Sequence, residues 1–182
     1  LIRAITCKGG LIPVTDYVIR GRVHKYGDNI NTDIISPAQY MELSYADMAA
    51  HAMEGIDPDF SRKVRQGDIM VAGKNFGSGS SRETAPIALK YAGIGAVVAE
   101  FFARIFYRNA INIGLPVIEL PTVEVINDGD ELEIDLAKGI IRNLTQQKDC
   151  YFPSFPDHII ELIHAGGLVP LLEKKLLAKE SH

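Results

Sequence analysis

Tryptophan is missing from the 182 residues, and cysteine occurs only at Cys7 and Cys150. Neither cysteine sits in a Cys-x-x-Cys pair, and no Cys/His group has zinc spacing. A long-range disulfide stays open, but a domain of this size does not need one. Reduced thiols in a cytoplasmic protein are the simpler expectation. Long apolar runs are lacking too: none approaches the roughly 18 residues of a membrane helix. The start, Leu1-Ile2-Arg3-Ala4, has neither an apolar core nor a cleavage site, so no signal peptide is expected. It does not begin with Met, as after processing or trimming. There is no basic excess: 19 Lys+Arg stand against 23 Asp+Glu, a net charge of −4. That sign argues against a nucleic-acid partner. Repeats and low-complexity tracts are absent, and 47% hydrophobic with 23% charged residues is ordinary globular composition. At about 150 residues per domain the length fits one domain with a real core.

The chain reads as alternating elements. Residues 17–26 carry β-branched and aromatic residues in partial alternation, as a strand does. Gly27-Asp28-Asn29 signals a turn. Residues 37–55 lean helical and are broken by Asp57-Pro58-Asp59. Residues 68–72 are a short buried strand, 73–80 a Gly/Ser loop, and 81–92 a helix with Ala85, Ala88, Leu89 and Ala92 on one face. A strand over 96–99, a helix over 101–111 stopped at Gly114, and a strand over 116–120 follow. Residues 131–135 and 140–142 form a hairpin turned at Lys138-Gly139. Residues 157–165 and 168–179 are one helix broken at Gly166-Gly167, or two. The central strand–loop–helix–strand–helix–strand order implies parallel strands with crossovers. The flanking strands look antiparallel, so a mixed α/β sheet is expected. Ligand sites in such sheets lie at the carboxyl ends of the strands, where the loop after Ala72 falls.

That loop is Gly73-Lys74-Asn75-Phe76-Gly77-Ser78-Gly79-Ser80-Ser81-Arg82-Glu83. Its glycines permit tight turns and close approach of a ligand. It runs into a helix N-terminus, where free amides and the dipole favour an anion. The Walker A pattern fails, because no Gly-Lys-Ser/Thr exists, and the dinucleotide fingerprint lacks its third glycine. A carboxylate suits Arg82, which can bind one bidentately. The plainer reading is a capping box, with Ser80 at the N-cap and Glu83 three residues on. The two readings are compatible, since a hydroxyl among free helix amides is also where an alkoxide is stabilised.

A second polar segment, residues 27–37, turns abruptly apolar after Asp33. It reads either as an Asx-type turn capped by Asp33 or as a carboxylate presented beside the Ser–Arg loop. Smaller signals have plain readings. His24, His51, His158 and His164 lack ligand spacing. Arg62-Lys63-Val64-Arg65 is a solvated turn or a subunit contact. Phe101, Phe102, Ile105 and Phe106 are core, and Arg104 and Asn109 are candidate braces.

Four stretches carry a resemblance: GDNINTDIISPAQY (27–40), GDIMVAGKNFGSGSSRETAP (67–86), FFARIFYRNAINIGLPVIEL (101–120) and GDELEIDL (129–136). Over residues 20–173 the chain resembles the small subunit of 3-isopropylmalate dehydratase, in the aconitase superfamily. The resemblance implies a swivelling β/β/α domain over 20–182, with residues 1–19 as an N-terminal extension. It implies a large subunit as partner, in a heterodimer or heterotetramer, carrying a 4Fe–4S cluster on three cysteines; this chain would bind no metal. It also implies interconversion of 2- and 3-isopropylmalate by dehydration and rehydration in leucine biosynthesis, with a small hydroxy-diacid as substrate. By the same resemblance Ser80 is the base, Arg82 binds a substrate carboxylate and steadies Ser80, Ser81 bonds substrate, and Asp33 is the acidic site residue. Tyr40, Met41, Glu42 and Leu43 form the loop that reads the distinguishing side chain, and Met41 and Leu43 suit an alkyl group. The sequence departs at Thr84, where the family often has His, and at Gln39, where it often has Arg. Homoaconitase, other alkylmalate dehydratases and a non-catalytic anion-binding module are the alternatives.

Overall fold

The computed structural model describes residues 17–80 and 82–180. Cys7 and most of the N-terminal extension lie outside the described residues, as does Ser81. The elements run β1 (Val18–Lys25), α1 (Thr32–Ile35), a 3-10 turn (Ala38–Tyr40), α2 (Tyr45–Ala50), α3 (Phe60–Lys63) and β2 (Asp68–Ala72). Next come α4 (Thr84–Ala92), β3 (Ile94–Ala99), α5 (Arg104–Asn112), β4 (Val117–Glu119) and β5 (Glu131–Asp135). β6 (Ile140–Asn143), β7 (Lys148–Tyr151), α6 (Asp157–His164) and α7 (Leu168–Glu180) complete the chain.

One seven-stranded mixed sheet has the order β4-β3-β2-β1-β5-β6-β7. β1 to β4 are mutually parallel, while β5 runs antiparallel to β1 and the β5–β7 meander continues antiparallel. The flanking strand β1, expected antiparallel, therefore has two directions of neighbour: Val23 stands opposite Ile69 in the parallel half, and Val18 opposite Asp135 in the other. Every residue of β2 is buried, as is all but one of β3, which is why both read as uninterrupted apolar runs. Strand β7 went unread, because its residues Lys148-Asp149-Cys150-Tyr151 lie on an edge with no buried face.

Buried polar contacts lock the β1–β2 pair. Asp68 Oδ1 accepts the Arg22 amide at 3.2 Å, and its Oδ2 accepts the Arg65 amide at 2.9 Å and lies 2.8 Å from His24 Nε2. On the helix layer, Lys90 donates to the carbonyls of Ile113 and Gly166, tying α4 to the ends of α5 and α6. Two helical readings change. The stretch 37–55 splits into the 3-10 turn after Pro37 and a short α2, whose N-cap is Ser44, accepting from the Asp47 amide at 3.2 Å. Phe102 and Phe106 enter the core, each edge-to-face with Phe76, but Phe101 and Ile105 are exposed. The helix starts only at Arg104, so Phe101 precedes it and Ile105 falls on its outer face.

The loop after β2 depends on glycine. Gly77 has φ +72°, and a Cβ there would lie 2.2 Å from Phe106 Cγ. We expect Gly77→Ala to cost at least about 2 kcal/mol, from overpacking plus positive φ. Gly27→Ala is the control, since a Cβ at Gly27 meets nothing within 4 Å. Urea denaturation of both variants checks this; equal stabilities would show that the loop is not held by close packing.

Candidate active site

β1 and β2 stop hydrogen-bonding as regular strands at Lys25 and Ala72, yet the two chains do not part. Gly73 N–H donates to Gly27 O at 3.1 Å, Asn29 to Lys74 O at 2.8 Å, and Gly77 to Ile30 O at 2.7 Å. Thr32 N–H then donates to Ser78 O at 2.8 Å. The next contact changes character. Ser80 N–H donates to the side-chain Oγ1 of Thr32 at 3.1 Å. Gly79 sits at φ +114°, where a Cβ would stand 2.8 Å from the same Oγ1. Thr32 is 2% exposed, so its hydroxyl works within a dry seam between the two loops.

This seam places the expected site residues. Arg82 Nη1 donates to Asp33 Oδ1 at 2.8 Å, with side chains 30% and 62% exposed. An ion pair that open is worth about 0–1 kcal/mol; it aims both groups rather than stabilising the fold. Ser80 Oγ is buried and has no hydrogen-bond partner among the described residues. The hydroxyls of Ser36 and Thr84 share that condition. An unmet buried hydroxyl costs about 1–3 kcal/mol, and native proteins keep few of them.

Ser80 is not a helix cap. Helix α4 begins at Thr84, and its N-cap is Glu83, at φ −73° and ψ −15° with no side-chain capping bond. The capping-box reading fails because the Ser80 amide is drawn into the seam with Thr32, so Ser80 and Arg82 lie before the helix rather than in it. Asp33 is not the cap of its turn either. Asn31 takes an extended conformation and its side chain accepts from the Ile34 amide at 2.9 Å, leaving Asp33 in the first turn of α1.

The loop 40–43 lies beyond α1. The Tyr40 ring stacks on His51 at 3.8 Å and 10°, and His51 Nδ1 lies 2.8 Å from Glu54 Oε2. The His51 hydrogen bond holds the Glu54 carboxyl below the usual carboxylate range, and Glu54 in turn lifts the Tyr40 hydroxyl. Tyr40 is thus an anchor for the loop. Met41 is half-buried, while Glu42 and Leu43 are exposed. No hydrogen bond joins this loop to Ser80 or Arg82 among the described residues.

No group of three His, Cys, Asp or Glu among the described residues is placed to hold a metal ion. Cys150 is the cysteine there, and it is half-buried. The described residues do not fit the ligand set of an iron–sulfur cluster. No helix among them is long and apolar enough to cross a membrane.

The parallel strand pair, its Gly-rich loop and the facing Asp turn define the class: residues 16–123 match the Aconitase C-terminal domain family. Relatives narrow it. The 3-isopropylmalate dehydratase small subunit of Nautilia profundicola is 56% identical over 87% of this chain and 96% of its own length. The methanogen homoaconitase small subunit of Methanothermobacter thermautotrophicus is 55% identical over 84% of this chain and 89% of its own. The crystal structure of 3-isopropylmalate dehydratase from Methanocaldococcus jannaschii superposes with a TM-score of 0.82 at 48% identity, covering 91% of this chain and 99% of that one. The chain belongs to the family of 3-isopropylmalate dehydratase small subunits.

Thr32 was not singled out by sequence reasoning. The available signal was a threonine directly before Asp33, in a polar run that has to meet an apolar sheet end. Thr32→Val keeps the shape and removes the acceptor, so the Ser80 amide should exchange with solvent faster and stability should fall by about 1–3 kcal/mol. Thr32→Ser should restore most of both. Amide exchange by NMR together with urea denaturation tests it; a valine variant equal to wild type in both would refute the clamp.

Proposed function

We propose that the chain is the small subunit of a two-chain hydro-lyase/isomerase that interconverts 2- and 3-isopropylmalate by dehydration and rehydration, in leucine biosynthesis. The partner is a large subunit, and the assembly works in the cytoplasm. The Lewis-acid chemistry for the departing hydroxyl is assigned to that large subunit, as a 4Fe–4S cluster. The observation that carries the reading is the unpartnered, buried Ser80 Oγ beside the Arg82–Asp33 pair.

In this reading Ser80 Oγ, as the alkoxide, takes the proton from the carbon next to a substrate carboxylate and becomes the neutral hydroxyl. The electron pair left behind forms the double bond as the hydroxyl departs from the neighbouring carbon. Rehydration with the carbons exchanged returns the proton from Ser80 and moves the hydroxyl. Arg82 binds the carboxylate beside the acidified carbon, lowering the cost of the charge that builds there. Asp33 keeps the guanidinium aimed at that place, and Ser81 adds a hydrogen bond to substrate. Because no group among the described residues meets Ser80 Oγ, its lone pairs stay available to substrate.

Ser80→Ala separates a reacting hydroxyl from a structural one. The methyl side chain removes an unmet polar atom, so the thermal midpoint should hold or rise. Turnover with purified large subunit should fall about 100- to 10,000-fold, the usual worth of general base catalysis. Near-normal turnover by a folded complex would refute the base.

The relative named for homoaconitase at 55% identity keeps substrate choice open to test. Met41 and Leu43 offer apolar contact, and Glu42 opposes a third carboxylate. Isopropylmalate should therefore have the highest specificity constant, with neighbouring alkylmalates about 10- to 200-fold lower per methylene changed. Faster turnover of a tricarboxylate by the reconstituted pair would overturn this assignment of loop 40–43.

A further inference from the structure

The outer face of α5 sets arginines around exposed apolar side chains. Arg104, Ile105 and Arg108 follow one another along one side of the helix, with Phe101 just before its start. All four are exposed, Phe101 at 53% and Ile105 at 44%. Neither guanidinium has an acidic partner among the described residues. α5 itself contains no Asp or Glu. Two neighbouring carboxylates are turned to other work: Glu119, which lines the same cleft as Arg104, accepts the Phe102 amide at 3.2 Å, and Glu100 accepts the Val123 amide at 3.2 Å. A chain of net charge −4 thus keeps two unpaired arginines around an exposed phenylalanine. Beside them opens a cleft of about 370 Å³, lined by Phe101, Phe102, Arg104, Tyr107 and Glu119.

This face is continuous with the candidate site. Phe76 N–H donates to Phe101 O at 3.0 Å, and Ala103 N–H donates back to Phe76 O at 2.9 Å. Phe76 and Phe102 pair as a parallel bridge. The loop that carries Ser80 and the segment that carries Phe101 are therefore one hydrogen-bonded unit at the carboxyl ends of β2 and β3. Whatever docks on the second steadies the first.

We propose that the α5 face docks the large subunit, through a patch on that subunit with carboxylates around an apolar projection. Phe101 and Ile105 supply the apolar centre, the cleft receives the projection, and Arg104 and Arg108 pair with the carboxylates. Arginine and aromatic residues are the usual anchors of such contacts. The charges set the encounter rate and the register. The inference rests on the two-chain reading above and deepens it by naming the surface.

The test uses the full chain and separately purified large subunit, with association measured by calorimetry or sedimentation at several salt concentrations. The double variant Arg104→Glu/Arg108→Glu should weaken association at least about tenfold and flatten its salt dependence. Ile105→Ala and Phe101→Ser should weaken it without changing the salt slope. Lys148→Glu, on β7 at the opposite sheet edge, should shift it by less than about twofold, as a charge outside the interface does. Thermal unfolding of each chain alone establishes that these surface variants fold. Wild-type chain that fails to bind the large subunit would overturn the two-chain reading itself. Wild-type binding matched by the double variant and by Phe101→Ser would overturn only the docking face. Self-association of the isolated chain, lost in these same variants, would assign the face to a second copy and overturn the proposal too.

Discussion

Everything at the candidate site depends on the refusal of two adjacent parallel strands to separate. Backbone amides buried between elements must be satisfied. Beyond Lys25 and Ala72 the regular ladder ends, and amide-to-carbonyl bonds then pass back and forth across an irregular seam from Tyr26 to Thr32. The glycines make this possible, because two chains drifting out of register need φ values that side chains oppose. At Ser80 the amide donates instead to the Thr32 hydroxyl, which stands in as acceptor. The seam ends with Asp33 on one side and Arg82 on the other, already within hydrogen-bond distance. Two residues 49 positions apart are brought together by the sheet, not by any attraction of their own.

How much of this the sequence showed follows from what each segment buries. β2 and β3 are covered on both faces, so their apolar runs stand out: β2 over its full length, β3 from two residues after its start at Ile94. The hairpin of β5 and β6 was visible because alternation and Gly139, at φ +65°, mark a half-buried pair and its turn. β7 buries no face and left no pattern. The pairing partners of β1 were invisible for another reason: local sequence does not encode which edge a strand joins. At the site, the residue types Ser80, Arg82 and Asp33 were legible, but their local geometry was misread. Ser-x-x-Glu before an apolar run is the signature of a cap, and here a tertiary hydrogen bond from the Ser80 amide overrides it. The same competition explains Asn31 displacing Asp33 as the turn's cap. The role of Thr32 is a matter of distance across the sheet, which spacing along the chain does not report.

The exposed Arg82–Asp33 pair suits a guanidinium that has to bind a substrate carboxylate. A buried ion pair would resist separation, because one charge left alone in a dry site costs several kcal/mol. A pair as open as this one is worth about 0–1 kcal/mol, so a substrate carboxylate can compete for the guanidinium at little loss. The pair still restricts Arg82 while it waits: one Nη1 hydrogen bond fixes the side chain's direction. Arginine has five N–H donors, and the Asp33 contact occupies only one nitrogen, which leaves a second edge for a bidentate carboxylate. A lysine there would have to choose between Asp33 and substrate as a single point charge. Weak pairing outside, a tight backbone seam beneath, and an unmet Ser80 hydroxyl beside them together describe a surface that is pre-aimed but left unfinished until a second surface closes over it.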